Sequence, residues 1–148
     1  MRAAIRSSVI GAAVLAAGCT TEVETGRASY TDLCAGCHGA SGKGNGPNAT
    51  GLTVPPADLT AIAARNGGVF PRVEVMAKID GYAKGEPPHG GMPAFWPLLD
   101  GRTVLVPTGD GILTPTPEPL VALTAYVESI QRRPGALPVV GAKGRGPQ

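Results

Sequence analysis

Five residues, Cys34-Ala35-Gly36-Cys37-His38, carry most of the sulfur and imidazole chemistry in this sequence. Two thiols three positions apart, with a histidine directly after the second, spell C-x-x-C-H, the attachment pattern of a c-type haem. In that chemistry both thiols add to the haem vinyl groups as thioethers, and His38 brings its imidazole under the iron as proximal ligand. A short helical turn suits the spacing, with the thioethers beside the ring and the histidine reaching its centre. Two other uses of paired thiols fit less well. A structural zinc takes about four N or S ligands, and outside the motif the chain offers only Cys19 and His89. A thioredoxin-like dithiol belongs in a βαβ setting, and no such pattern surrounds Cys34.

The composition asks for a non-protein core. The 148 residues include 22 glycines and 15 prolines, with 4% aromatic and 16% charged residues. A chain this rich in Gly and Pro approaches the range of unpatterned, disordered sequences unless something else fills its middle. A length of 148 residues allows one domain. The formal charge of +2 argues against nucleic-acid binding, which calls for clustered Lys and Arg. No apolar run reaches the ~18–20 residues of a bilayer span, which excludes a multi-pass membrane protein.

The N-terminus reads as an export signal. Arg2 and Arg6 precede the apolar stretch from Val9 to Ala17, a positive n-region before a short h-region. Leu15-Ala16-Ala17-Gly18-Cys19 then resembles a lipoprotein signal, with a small residue before a cysteine that becomes an acylated N-terminus. Ala16 stands where such signals usually carry Leu, and Leu15 lies one position further out. The alternative is ordinary cleavage, leaving a soluble periplasmic protein with a free Cys19. Several acyl chains on one cysteine would hold the protein at a membrane, where a single chain anchors only marginally. Without Arg2 and Arg6 the chain is formally neutral, and residues 27–131 carry seven bases against nine acids. Electrostatic steering should be modest.

From about Gly26 to Gln131 the sequence resembles a class I c-type cytochrome. After the CxxCH motif comes Gly39-Ala40-Ser41-Gly42-Lys43-Gly44-Asn45-Gly46-Pro47, similar to the family's glycine-rich loop ending in Gly-Pro. The resemblance implies that the Pro47 carbonyl accepts the hydrogen bond of the proximal imidazole, which fixes its tautomer. It also implies an axial methionine in a Met-Pro loop, and His89-Gly90-Gly91-Met92-Pro93 supplies one. Met92 is therefore the expected sixth ligand, with His89 its rival. Met76, in the helical stripe Val73, Met76, Ile79, reads as core packing. The family crosses its N- and C-terminal helices at a glycine with aromatic rings in the crossing. Gly26, Tyr30, Leu123 and Tyr126 match those positions.

The elements that must position these groups are mostly helical. Leu120, Val121, Leu123, Tyr126, Val127 and Ile130 form an amphipathic stripe, with Thr116 as expected N-cap, Pro117 at the first helical position and Glu118 in the first turn. A short helix is expected over residues 58–64, with Asp58 as cap and Asn66-Gly67-Gly68 as its stop. Another runs from Pro71 to Ile79. Thr103–Val106 and Gly111–Leu113, flanking Pro107-Thr108-Gly109-Asp110, read as a β-hairpin with Asp110-Gly111 in the turn. Two strands alone are marginal, so the hairpin should lean on the domain, either covering a haem edge or docking a partner.

The expected fold is all-α, a cytochrome c-like arrangement of about four short helices around one covalently bound haem c, with a small β-hairpin insertion before the C-terminal helix. The expected organisation is a signal peptide over 1–18, a lipid-anchored tether over 19–25, a cytochrome c domain over 26–131 and a disordered tail over 132–148. The expected role is a membrane-tethered periplasmic electron carrier, not an enzyme, serving redox protein partners such as a membrane respiratory complex, without nucleic acid or a small-molecule substrate. The second reading is a five-coordinate or labile-Met haem with peroxidase or gas-binding activity. A purely structural lipoprotein, the third, sits badly with CxxCH.

Overall fold

The computed structural model describes residues 17–81, 91–109 and 111–132. His89, Asp110, the export signal up to residue 16 and the tail beyond Arg132 lie outside the described residues. Five α-helices and one hairpin appear in the order α1 (Ala17–Leu33), α2 (Ala35–His38), α3 (Ile62–Arg65), α4 (Arg72–Asp80), β1 (Thr103–Pro107), β2 (Leu113–Pro117) and α5 (Glu118–Ser129). Short 3₁₀ turns at Pro47–Ala49, Leu59–Ala61 and Trp96–Leu98 punctuate the loops.

The helix crossing of α1 on α5 is the frame on which the rest hangs. A Cβ on Gly26 would lie 1.9 Å from the Ala122 carbonyl oxygen and 2.9 Å from the Tyr126 Cβ, so only glycine permits this approach. Beside it the Tyr30 and Tyr126 rings sit 5.0 Å apart at 49°, within the range of favourable tilted aromatic pairs. Leu123 is fully buried and Tyr30 nearly so. All four residues expected at the crossing are therefore there. Met76 and Ile79 of α4 join the same core, as their helical spacing implied.

Three local details differ from the sequence reading. Residues 19–25, expected as a tether of at most ~25 Å when extended, are helical and form part of α1. At 1.5 Å per residue rather than ~3.5 Å, the segment reaches ~10 Å instead of ~25 Å. Thr116 does not cap α5. It is the buried penultimate residue of β2, its hydroxyl donates to the Thr114 carbonyl at 3.1 Å, and Pro117 takes the N-cap position. The Glu118 amide donates instead to the Arg102 carbonyl at 2.8 Å, so the base of the hairpin satisfies a donor that a cap would have taken. Asp58, in contrast, does cap, its Oδ1 accepting from the Thr60 amide at 2.9 Å and the Thr60 hydroxyl at 2.6 Å.

The third difference is the hairpin. Its second strand begins at Leu113 and ends at Pro117, pairing antiparallel so that Leu105 faces Pro115 and Pro107 faces Leu113. Gly109 and Gly111 hold φ of 91° and 81° in the connecting loop, a region that favours glycine. Both strands are edges, which is why Pro107, Pro115 and Pro117 are tolerated without a missing ladder donor. The inward side chains Val104 and Val106 pack on the main core.

Candidate functional site

The CxxCH segment forms α2, entered from Leu33 without a gap because the Cys34 amide still donates to the Tyr30 carbonyl at 2.9 Å. Cys34 stands at its N-cap and His38 at its last position, with Gly39 turning the chain away at φ 77°. Tyr30 reaches across from α1 and donates its hydroxyl to the Gly39 carbonyl at 2.6 Å. The helix crossing thus also clamps the residue after the histidine. Burial pushes the Tyr30 hydroxyl up to about 12.

The glycine-rich loop is packed against this short helix. A Cβ on Gly46 would lie 2.3 Å from the Gly36 carbonyl oxygen and 2.6 Å from that of Ala35. The Gly46 amide donates to the Cys37 carbonyl at 3.0 Å, and the Gly44 amide to that of His38 at 2.8 Å. A Cβ on Gly44 would meet the Pro56 carbonyl oxygen at 2.2 Å. The loop therefore forms a backbone layer between α2 and the Pro55–Leu59 segment, which no larger residue could thin to the same thickness.

That layering decides the partner of the histidine. His38 is buried, and its Nδ1 lies 2.9 Å from the Ala57 carbonyl oxygen. A carbonyl can only accept, so Nδ1 carries a proton, and in the neutral imidazole the lone pair is then on Nε2. The Pro47 carbonyl, expected in this role by resemblance, is not the acceptor; Pro47 is exposed and opens the 3₁₀ turn after the loop. The chain folds back once more, and the residue after Pro55-Pro56 delivers the oxygen. The residues just after Ala57 hold it in place. The Leu59 amide donates to the Gly42 carbonyl at 2.7 Å, and Gln131 Nε2 donates to the Leu59 carbonyl at 2.7 Å. Arg132 adds an ion pair to Asp58 at 2.8 Å and donates its amide to the Thr60 carbonyl at 2.8 Å.

Cys34, Cys37, His38 and Met92 line one cavity of about 300 Å³. Its remaining wall is apolar, contributed by Leu33, Leu52, Val54, Pro55, Pro56 and Phe95 among others, with Lys78 as its one charged side chain among the described residues. Met92 is half-buried. Burial, with a smaller contribution from Cys37, pushes the Cys34 thiol up to about 11. Redox dithiols work through depressed thiol pKa values, so the environment of Cys34 opposes that use. No group of three or more His, Cys, Asp or Glu able to hold a metal ion occurs among the described residues.

The residues present fit a haem. His38 Nε2 is a buried acceptor atom with no hydrogen-bond partner among the described residues, and it belongs to a residue lining an apolar cavity. A buried polar atom left unpaired costs about 1–3 kcal/mol, and an iron atom is what a neutral imidazole nitrogen in such surroundings can bind. Sequence reading missed Ala57, Phe95 and Lys78. Ala57 acts through its backbone, which no side-chain pattern encodes, and the other two come together with the motif only by folding. The hairpin, for its part, contributes none of its described residues to the lining of this cavity.

A family model described as cytochrome c matches residues 23–131. No curated protein and no solved structure matches the chain significantly. The matched span starts in α1, ends just beyond α5 and encloses the whole cavity wall. By its sequence span, its helical frame with one hairpin, and the cavity built around Cys34, Cys37 and His38, this chain belongs to the cytochrome c family, the class I c-type cytochromes.

Proposed function

We propose that the protein is a mono-haem electron carrier of the bacterial periplasm, held at a membrane through its N-terminus, with His38 and Met92 as axial ligands. The observation that carries the reading is the shared cavity: the two thiols, the imidazole and the thioether meet in one apolar space. Cys34 and Cys37 hold the haem as thioethers, and His38, oriented by the Ala57 carbonyl, supplies Nε2. Met92 fills the remaining position from the Gly91-Met92-Pro93 loop, where glycine at φ 94° allows a close approach and proline stiffens the backbone. A bound haem supplies a one-electron iron couple there, tuned by ligand identity and dielectric. The wall of the site is mainly apolar, and the Nδ1–H bond raises the basicity of the proximal nitrogen.

With both axial positions filled by the chain, iron has no place for a substrate, which favours a carrier over an enzyme. Redox partners are then expected to dock transiently through a small interface. The membrane reading is supported by the n-region, the h-region and Cys19 in the sequence. No helix of the described residues is long and apolar enough to cross a membrane.

The optical spectrum of the purified, exported protein tests the axial pair. The ferric form should show the thioether-to-iron charge-transfer band, the ferrous form should refuse CO, and acid–acetone should leave the pigment on the polypeptide. Met92→Ala should lose the band and admit CO. A wild-type protein that binds CO promptly would instead support the peroxidase or gas-binding reading, and extraction of the pigment would remove covalent attachment.

A further inference from the structure

The hairpin is an element the haem site does not use. Residues 103–117 contain a single charged residue, Asp110, and their side chains sort by face. Val104 and Val106 turn inward, and Val106 is buried. Opposed residues of an antiparallel pair share a face, so Leu105 with Pro115 and Pro107 with Leu113 form the outer one. Leu105 is 63% exposed, Leu113 54% and Ile112, beside Leu113 in the turn, 63%. Two large aliphatic side chains and two prolines share one uncharged face, with Ile112 exposed beside them at the turn, more than the scattered exposure ordinary for a soluble surface.

The location of this face points to what covers it. The apolar stretch of the sequence ends at Ala17, where α1 begins, so nothing flexible separates a membrane attachment there from the folded domain. Thr21, Glu22 and Thr25 of α1 line one groove together with Val104 of β1. The Arg102–Glu118 ion pair at 2.7 Å and the Glu118 amide bond to Arg102 fix the hairpin base to α5 beside that groove. A bilayer attachment at Cys19 therefore lies close to the base of the hairpin.

We propose that the outer face of the hairpin, through Leu105 and Leu113, is a second membrane contact that rests in the lipid headgroup region and sets the orientation of the haem domain. The inference rests on the proposed membrane attachment for its placement, but the apolar face can be assayed without the anchor. The haem-loaded mature chain carrying Cys19→Ser, which cannot be acylated, is floated with vesicles of phosphatidylethanolamine and phosphatidylglycerol. It should partition onto them, with little response to added salt because the face carries no cation. Leu105→Glu with Leu113→Glu should lower the partition coefficient at least tenfold, a factor equivalent to about 1.4 kcal/mol, while the haem spectrum stays unchanged. In the acylated protein reconstituted in the same vesicles, amides of residues 103–117 should exchange more slowly than in the Cys19→Ser chain in solution.

Equal flotation of both chains, or equal amide exchange, overturns the proposal. Self-association abolished by the double substitution, without flotation, assigns the face to a second copy and overturns it too. Mass spectrometry that finds no acyl group on Cys19 of the native protein overturns the anchor instead, and leaves the flotation result standing.

Discussion

Replacing Gly26 with alanine tests whether the helix crossing carries the fold. Alanine would be the better helix residue by about 1 kcal/mol, so a helix that stood alone would gain. In the structure the new Cβ would lie 1.9 Å from the Ala122 carbonyl oxygen and 2.5 Å from its carbon. Both atoms are backbone, and neither can rotate away. To restore ordinary contact near 3.4 Å, α1 and α5 must separate locally by about 1.5 Å. Overpacking of this kind costs about 1–3 kcal/mol. The displacement also loosens the Tyr30–Tyr126 pair, worth about 0.5–1.5 kcal/mol, and the Tyr30 bond to Gly39, worth about 1 kcal/mol. Less the propensity gain, Gly26→Ala should destabilise by about 2–4 kcal/mol, which for a domain of this size is a Tm drop of roughly 8–16 °C. Thermal unfolding of the haem-loaded protein measures it. Ala28→Gly, on an exposed part of the same helix, isolates the propensity effect and should cost about 1 kcal/mol. An unchanged or raised Tm in Gly26→Ala would refute the claim that backbone contact sets the crossing.

The same geometry fixes four further outcomes. Gly46→Ala would press a methyl into the Ala35 and Gly36 carbonyls, so the exported chain should accumulate with little attached haem, read as pigment per polypeptide. Tyr30→Phe should cost about 1 kcal/mol by removing the hydroxyl bond to the Gly39 carbonyl, which keeps only the Gly42 amide as donor. The raised Tyr30 pKa contributes stability that is present below its ordinary value near 10 and is lost as pH rises through about 12; Tyr30→Phe should therefore flatten the alkaline limb of a stability–pH curve. Gln131→Ala removes side-chain bonds to the Ala63 amide and the Leu59 carbonyl, costs about 2–3 kcal/mol, and should alter the reduction potential by loosening the segment that presents Ala57. Arg72→Ala breaks a half-exposed ion pair with Glu128 and should move stability by no more than about 1 kcal/mol.

What the sequence determined by itself is what covalent spacing and local periodicity determine. The two thiols and the histidine are fixed within five consecutive residues, and a helical turn is all the structure they need. The crossing residues Gly26, Tyr30, Leu123 and Tyr126 lie on helical stripes whose period is legible without a fold, as is the core face of α4 around Met76. Tertiary structure alone decided the rest. The acceptor for the proximal imidazole is a backbone oxygen, Ala57, and every residue offers the same oxygen, so composition could not distinguish it from that of Pro47. Thr116 lost its cap role because the hairpin base reached the Glu118 amide first. The hairpin itself was readable from its turn, but its place against α1 was not. That depends on which face of two strands finds a neighbour, and such a choice is made by packing between segments that are distant in the chain.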